Sequence, residues 1–180
     1  MDEIFIDEMS NKDVLNTDFF QWLYKDNSFD LCFYYSSNFS NTKFLRDSIK
    51  IIFEILWLDN IWVNRFILIS DELNNNAIEY WSKENSLNKM YIKASNNWEN
   101  IDIILEITDS WDWELHKNSI EMNALRIERL EKWFDNHNSI RWRGLFLIIT
   151  KLVDELYFKD SQAWGLVVWI NKKIQQKKDV

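Results

Sequence analysis

The sequence predicts an α/β fold: a two-layer sandwich in which a mixed, mostly antiparallel sheet carries helices on one face. Three observations predict it. Runs rich in aromatic and β-branched residues recur at 30–36, 89–94, 101–108, 155–159 and 166–170, as strands require. Apolar residues at three- and four-residue spacing mark helices over 41–57, 60–80 and 144–154. At 180 residues with 47% hydrophobic content, the chain is long enough for one domain with a sizeable core.

Residues 1–29 are acidic and weakly periodic, and read as an N-terminal extension with a short helix at 18–24. The run DLCFYYS at 30–36 places Leu31, Phe33 and Tyr35 on one face of a strand. Cys32 lies within that run and reads as a small core residue; a single cysteine excludes an internal disulfide. A turn at 37–42 offers Ser40 or Asn41 as a helix cap. The helix that follows turns Leu45, Ser48 or Ile49, Ile52, and Ile55 or Leu56 inward. In the next helix, Phe66, Ile69, Leu73, Ala77 and Tyr80 form a buried stripe. Segments 89–94 and 101–108 form an antiparallel pair, with Ile101, Ile103, Leu105 and Ile107 alternating. Their link is turn-like apart from Trp98. Residues 110–141 are polar around a helical stripe of Met122, Leu125, Arg129 or Leu130, and Phe134. A helix from Gly144 to Asp154 and two strands close the fold at about residue 174, and the residues from Lys172 onward read as a polar tail.

Net charge is −8, which argues against a nucleic-acid surface. No apolar run reaches membrane-spanning length, and the start MDEIFIDEMS lacks a basic region followed by an apolar one. The expectation is a cytoplasmic chain with neither membrane nor nucleic acid as partner.

The stretch DELNNNA at 71–77 carries the chemistry. Glu72 and Asn76 are four apart and share a helix face at the edge of the buried stripe. Taken alone, such a pair reads as a solvated helix edge. Three later motifs change that reading. Asp109-Ser110-Trp111-Asp112-Trp113 ends a strand, and Arg141-Trp142-Arg143-Gly144-Leu145 opens a helix. Trp164-Gly165-Leu166-Val167-Val168 precedes the last strand.

This order resembles the ATP-binding domain of gyrase, heat-shock chaperones, histidine kinases and mismatch-repair ATPases, the Bergerat-type fold. It is most similar to the anti-sigma-factor serine kinases, over roughly 30–173. The resemblance implies these roles. Glu72 is the general base, and Asn76 holds Mg²⁺ on the phosphates of ATP. Asp109 accepts the adenine amino group. Positions 111 and 113 wrap base and ribose. Arg141 or Arg143, with the backbone at Gly144 and Leu145, cradles the phosphates. Residues 114–141 form the ATP lid, longer than in the serine kinases and with a helix of its own. His116 and His137 fall in that lid and read as surface residues; no helical hairpin presents either as a phosphoacceptor. The implied partners are an anti-sigma-factor antagonist, phosphorylated on Ser or Thr, and a sigma factor; a homodimer is compatible with this. The rival implication is a catalytically inactive fold that sequesters a sigma factor.

The departures from the family pattern share one direction. Trp111, Trp113, Trp142 and Trp164 stand where the family has glycine, and Trp57, Trp81, Trp98 and Trp133 stand at helix ends or in turns, where glycine is natural. Two glycines and eleven tryptophans together make the roughly 13 residues that ordinary glycine usage alone gives. Two explanations compete: a nucleotide site plugged by indole, or a gene that uses UGA for glycine and was translated with UGA as tryptophan. The second explains why the substitutions concentrate on glycine positions while Glu72, Asn76, Asp109 and Arg143 persist. Trp22 and Trp62 fit either. Proline is absent, and nothing in the sequence explains it.

Overall fold

The computed structural model describes residues 1–8, 15–82, 86–110, 118–131, 151–161 and 165–176. The architecture is α/β. Strands β1 (Asp2–Phe5), β2 (Ser28–Ser36), β3 (Leu87–Asn96), β4 (Asn100–Thr108), β5 (Glu155–Ser161) and β6 (Gly165–Gln175) form one open sheet in the order β1-β2-β3-β4-β6-β5. Only the β1–β2 pair is parallel. The α-helices are α1 (Thr17–Leu23), α2 (Ser40–Ile55), α3 (Asn60–Asn76) and α4 (Ser119–Glu131), and a 3-10 turn, Ile6–Glu8, follows β1.

Alternation along the strands separates the two faces. Leu31, Phe33 and Tyr35 of β2, Met90, Ile92 and Ala94 of β3, and Ile101, Ile103, Leu105 and Ile107 of β4 are buried in one core with Leu45, Ile49, Ile52, Phe66, Ile69 and Leu73 from α2 and α3. The opposite face carries cross-strand polar pairs such as Lys159–Glu106 and Lys173–Asp102. Cys32 is buried, as expected.

Four expectations need correction. Residues 1–29 read as weakly periodic, yet Asp2–Phe5 is an edge strand in register with Leu31 to Tyr34. Asp7 secures it, accepting hydrogen bonds from the Ser36 N–H at 2.5 Å, the Ser36 hydroxyl and the Asn41 amide. Neither Ser40 nor Asn41 caps α2: the N-cap is Phe39, and Asn41 is buried on Asp7 and Ser36 instead. The helix from 60 to 80 is not uniform, because α3 gives way at Ala77 to a π-helical turn, Ala77–Trp81. Residues 172–175 belong to β6, where Ile174 pairs with Ile101 and is buried, so they are not tail.

Met122 is buried and Leu125 packs on the core, as the stripe in α4 predicts. Phe134, His116 and His137 lie outside the described residues, as does most of the helix expected over 144–154, of which Lys151 and Leu152 are helical. Among the described residues, no helix is long and apolar enough to cross a membrane.

Candidate functional site

The helical layer is anchored under one end of the sheet. Asp59 caps α3, its carboxylate accepting from the Trp62 N–H at 2.9 Å. Toward the other end of α3, buried Asn74 accepts from the Tyr35 hydroxyl at 2.5 Å and donates to the Ser70 carbonyl at 2.8 Å. An amide so deep in an apolar layer requires these partners. They fix α3 against β2 and hold the following turn of helix in place. Glu72 and Asn76, one turn apart, are both half-buried there. The Asn76 side-chain nitrogen is shielded from solvent and has no hydrogen-bond partner.

Asp109 follows β4 directly and is 1% exposed. Its N–H donates to the Leu166 carbonyl at 3.2 Å, and its Oδ1 accepts from the Leu166 N–H at 2.9 Å, so the start of β6 holds it from both sides. Its Oδ2 is buried without a partner. Burial pushes its pKa up to about 7, against the opposing pull of the Leu166 N–H. The Tyr35 hydroxyl is raised by burial and by the negative charge of Asp109. Tyr35 pairs with Asn88 and Thr108 with Lys89, so Tyr35, on which Asn74 is anchored, and Asp109 lie at the same end of the sheet.

A set of short polar side chains closes the same end of the sheet. The Asn88 amide donates to the Ser37 hydroxyl at 2.9 Å, and the Ser82 hydroxyl donates to Asn88 Oδ1 at 2.5 Å. The Ser110 N–H reaches the Ser82 hydroxyl at 3.5 Å, and the Ser110 hydroxyl donates to that of Ser86. Ser82 follows the π-helical turn and Ser110 follows Asp109, so this network ties the two motif-bearing segments together.

No family model matches the chain. No curated protein matches it in sequence either.

Of the residues singled out from sequence, the structure places Glu72 and Asn76 on one helix end and Asp109 at the adjoining strand end. Trp111, Trp113, Arg141, Arg143, Gly144 and Leu145 lie outside the described residues. Sequence reading missed Tyr35 and Asn74 as positioning residues. A signal existed: Tyr35 alternates with Leu31 and Phe33 onto the core face, and a buried phenol must find an acceptor.

Proposed function

We propose that the protein is a cytoplasmic, ATP-binding serine/threonine kinase that acts as an anti-sigma factor and phosphorylates an anti-sigma-factor antagonist. The observation that carries the reading is the unpaired, buried Oδ2 of Asp109. A carboxylate oxygen is acceptor-only when ionised, and its burial without a donor is costly. A ligand N–H, such as the exocyclic amine of adenine, would remove that cost. The unpaired side-chain amide of Asn76 fits the same picture. A half-turn of the amide would present its oxygen to Mg²⁺, which takes few protein oxygens and keeps several waters.

In this reading Asp109 selects the base and Asn76 holds the metal. Arg141 or Arg143, with the backbone at Gly144 and Leu145, holds the phosphates. When bound, Mg-ATP supplies the phosphoryl group. Glu72, half-buried at the same helix end, takes the proton from the acceptor Ser or Thr hydroxyl. Glycine at 111, 113 and 142 leaves the backbone room to approach the nucleotide.

A second reading is a sigma-sequestering interaction module without catalysis; indole at 111, 113 and 142 favours it. Calorimetric titration of the chain from its own cells with Mg-ATP separates the two. Binding that Asp109→Ala abolishes supports the kinase. No binding by the native chain leaves the interaction module.

A further inference from the structure

We infer that the chain made in its own cells carries glycine at positions 57 and 98, read from UGA codons, and tryptophan at positions 62 and 169. The inference rests on backbone geometry and stands apart from any nucleotide activity.

Trp57 lies just past the end of α2. Its N–H donates to the Glu54 carbonyl at 3.1 Å, and the Leu58 N–H donates to the Phe53 carbonyl at 3.0 Å. These two bonds define a Schellman motif, with residue 57 at the position that is usually glycine. Its φ is +62°, left-handed, as the motif demands. Trp98 lies in the short connection 97–99 between β3 and β4, where the Asn97 N–H donates to the Asn100 carbonyl. Its φ is +69°, while Glu99 keeps a negative φ. A positive φ in a tight hairpin connection is a position that favours glycine. For a bulky side chain a positive φ is a steric outlier. Both indoles project into solvent, 77% and 71% exposed, so packing does not offset the strain.

The same chain shows what tolerated residues look like. In the turn between α1 and β2, the left-handed positions are Asp26 and Asn27, with φ of +50° and +56°. Short polar side chains accept that region. The described glycine, Gly165, also takes a positive φ, +115°.

Trp62 and Trp169 sit differently. Trp62 lies within α3, partly buried, with the Arg65 guanidinium 4.6 Å and the Lys172 ammonium 5.1 Å from its ring, and Phe66 beside it. Trp169 stacks on Tyr157 across β5 and β6 at 4.4 Å. These positions use an indole, and glycine would forfeit the ring contacts in the first turn of α3 or in a strand. Read as tryptophan throughout, the eleven positions include two whose backbone favours glycine and two whose surroundings use a ring. Two codons, UGA and UGG, account for both.

The test is peptide sequencing by mass spectrometry of the protein from its own cells, alongside the nucleotide sequence of its gene. The expected result is glycine at 57 and 98 over UGA, and tryptophan at 62 and 169 over UGG. Tryptophan at 57 or 98, or glycine at 62 or 169, overturns the inference. A second measurement uses chain expressed with tryptophan at all eleven positions. Trp57→Gly and Trp98→Gly should each raise the folded-to-unfolded ratio by roughly fivefold, and Trp62→Gly should lower it by roughly tenfold or more. A fall on Trp57→Gly or Trp98→Gly contradicts it independently of the gene. Peptides covering 111, 113, 142 and 164 from the same digest show whether the rule extends to the nucleotide motifs.

Discussion

At the end of the sheet where β3 turns into β4, buried Asn96 has both its side-chain groups and its N–H engaged. Its amide donates to the Leu56 carbonyl at 2.8 Å, its side-chain oxygen accepts from the Trp98 N–H at 2.8 Å, and its backbone N–H donates to Asn27. At the opposite end, Asp109 and Asn76 each leave one shielded polar atom with no partner. Both ends sit on the same strands and beneath the same helices. The difference is that the chain itself satisfies the Asn96 side chain, whereas in the proposed reading a bound nucleotide satisfies Asp109 and Asn76. An orphaned polar group costs on the order of 1–3 kcal/mol, so leaving two at one end is a stability cost that a ligand can recover.

The sharpest way to break that comparison is Glu72→Ala. The half-buried carboxylate contributes little to the core, so the melting temperature should hardly move. Transfer of labelled phosphate to an acceptor serine should fall by about 10²–10⁴-fold, the range for loss of a positioned base. Unchanged transfer would remove Glu72 from the chemistry.

Asp109→Asn reads the cost directly. The folded-state pKa is about 7, raised above the roughly 3.9 of the unfolded chain. Below pH 4 both states hold the proton and Asp109 costs nothing. Between about 4 and 7 the unfolded chain has lost a proton that the folded chain keeps. Stability should therefore fall as pH rises through that window, by up to about 1.4 kcal/mol per unit, and level off above it. The asparagine variant should show no such slope in a series of urea midpoints across pH. Nucleotide affinity in the native chain should rise toward pH 7, because a ligand N–H favours the ionised form.

Asn96→Ala is the matched control at the other end. It orphans the Leu56 carbonyl and the Trp98 N–H, and should cost about 1–3 kcal/mol in a urea titration, independent of pH. A negligible cost would mean that the two ends do not differ in how they depend on their polar contacts.

The sheet was legible because its strands alternate: Ile101, Ile103, Leu105 and Ile107 announce a face by period two alone. β1 was not, because Asp-Glu-Ile-Phe is four residues long and its partner is remote in sequence; only Asp7 reaching Ser36 and Asn41 fixes it. The cap of α2 was misread for a related reason. Asn41 looks like a local cap, yet its amide serves a residue 34 positions away. At the site, the spacing of Glu72 and Asn76 gave a shared face, but the docking of their helix end onto the end of the sheet that carries Asp109 depends on Tyr35 and Asn74. Those two meet only when β2 and α3 pack. The positive φ at 57 and 98 was readable as helix-end and turn positions, since those backbone demands are local.

The smallest effect expected is at the surface beside Glu72. Arg46 and Asp71 join α2 to α3 at 2.7 Å, next to Glu72 in sequence, with side chains 46% and 20% exposed. Burial raises the Asp71 carboxyl, and the bond and charge of Arg46 pull it back. Removing Arg46 leaves a carboxylate that water still reaches, so Arg46→Ala should cost no more than about 1 kcal/mol in the same urea titration. Phosphoryl transfer should be preserved, because the position of α3 is set from below by Asn74, Ser70 and Tyr35 rather than from above by the ion pair. A cost as large as that of Asn96→Ala, or loss of transfer, would shift the support of Glu72 from the buried amide to the surface pair.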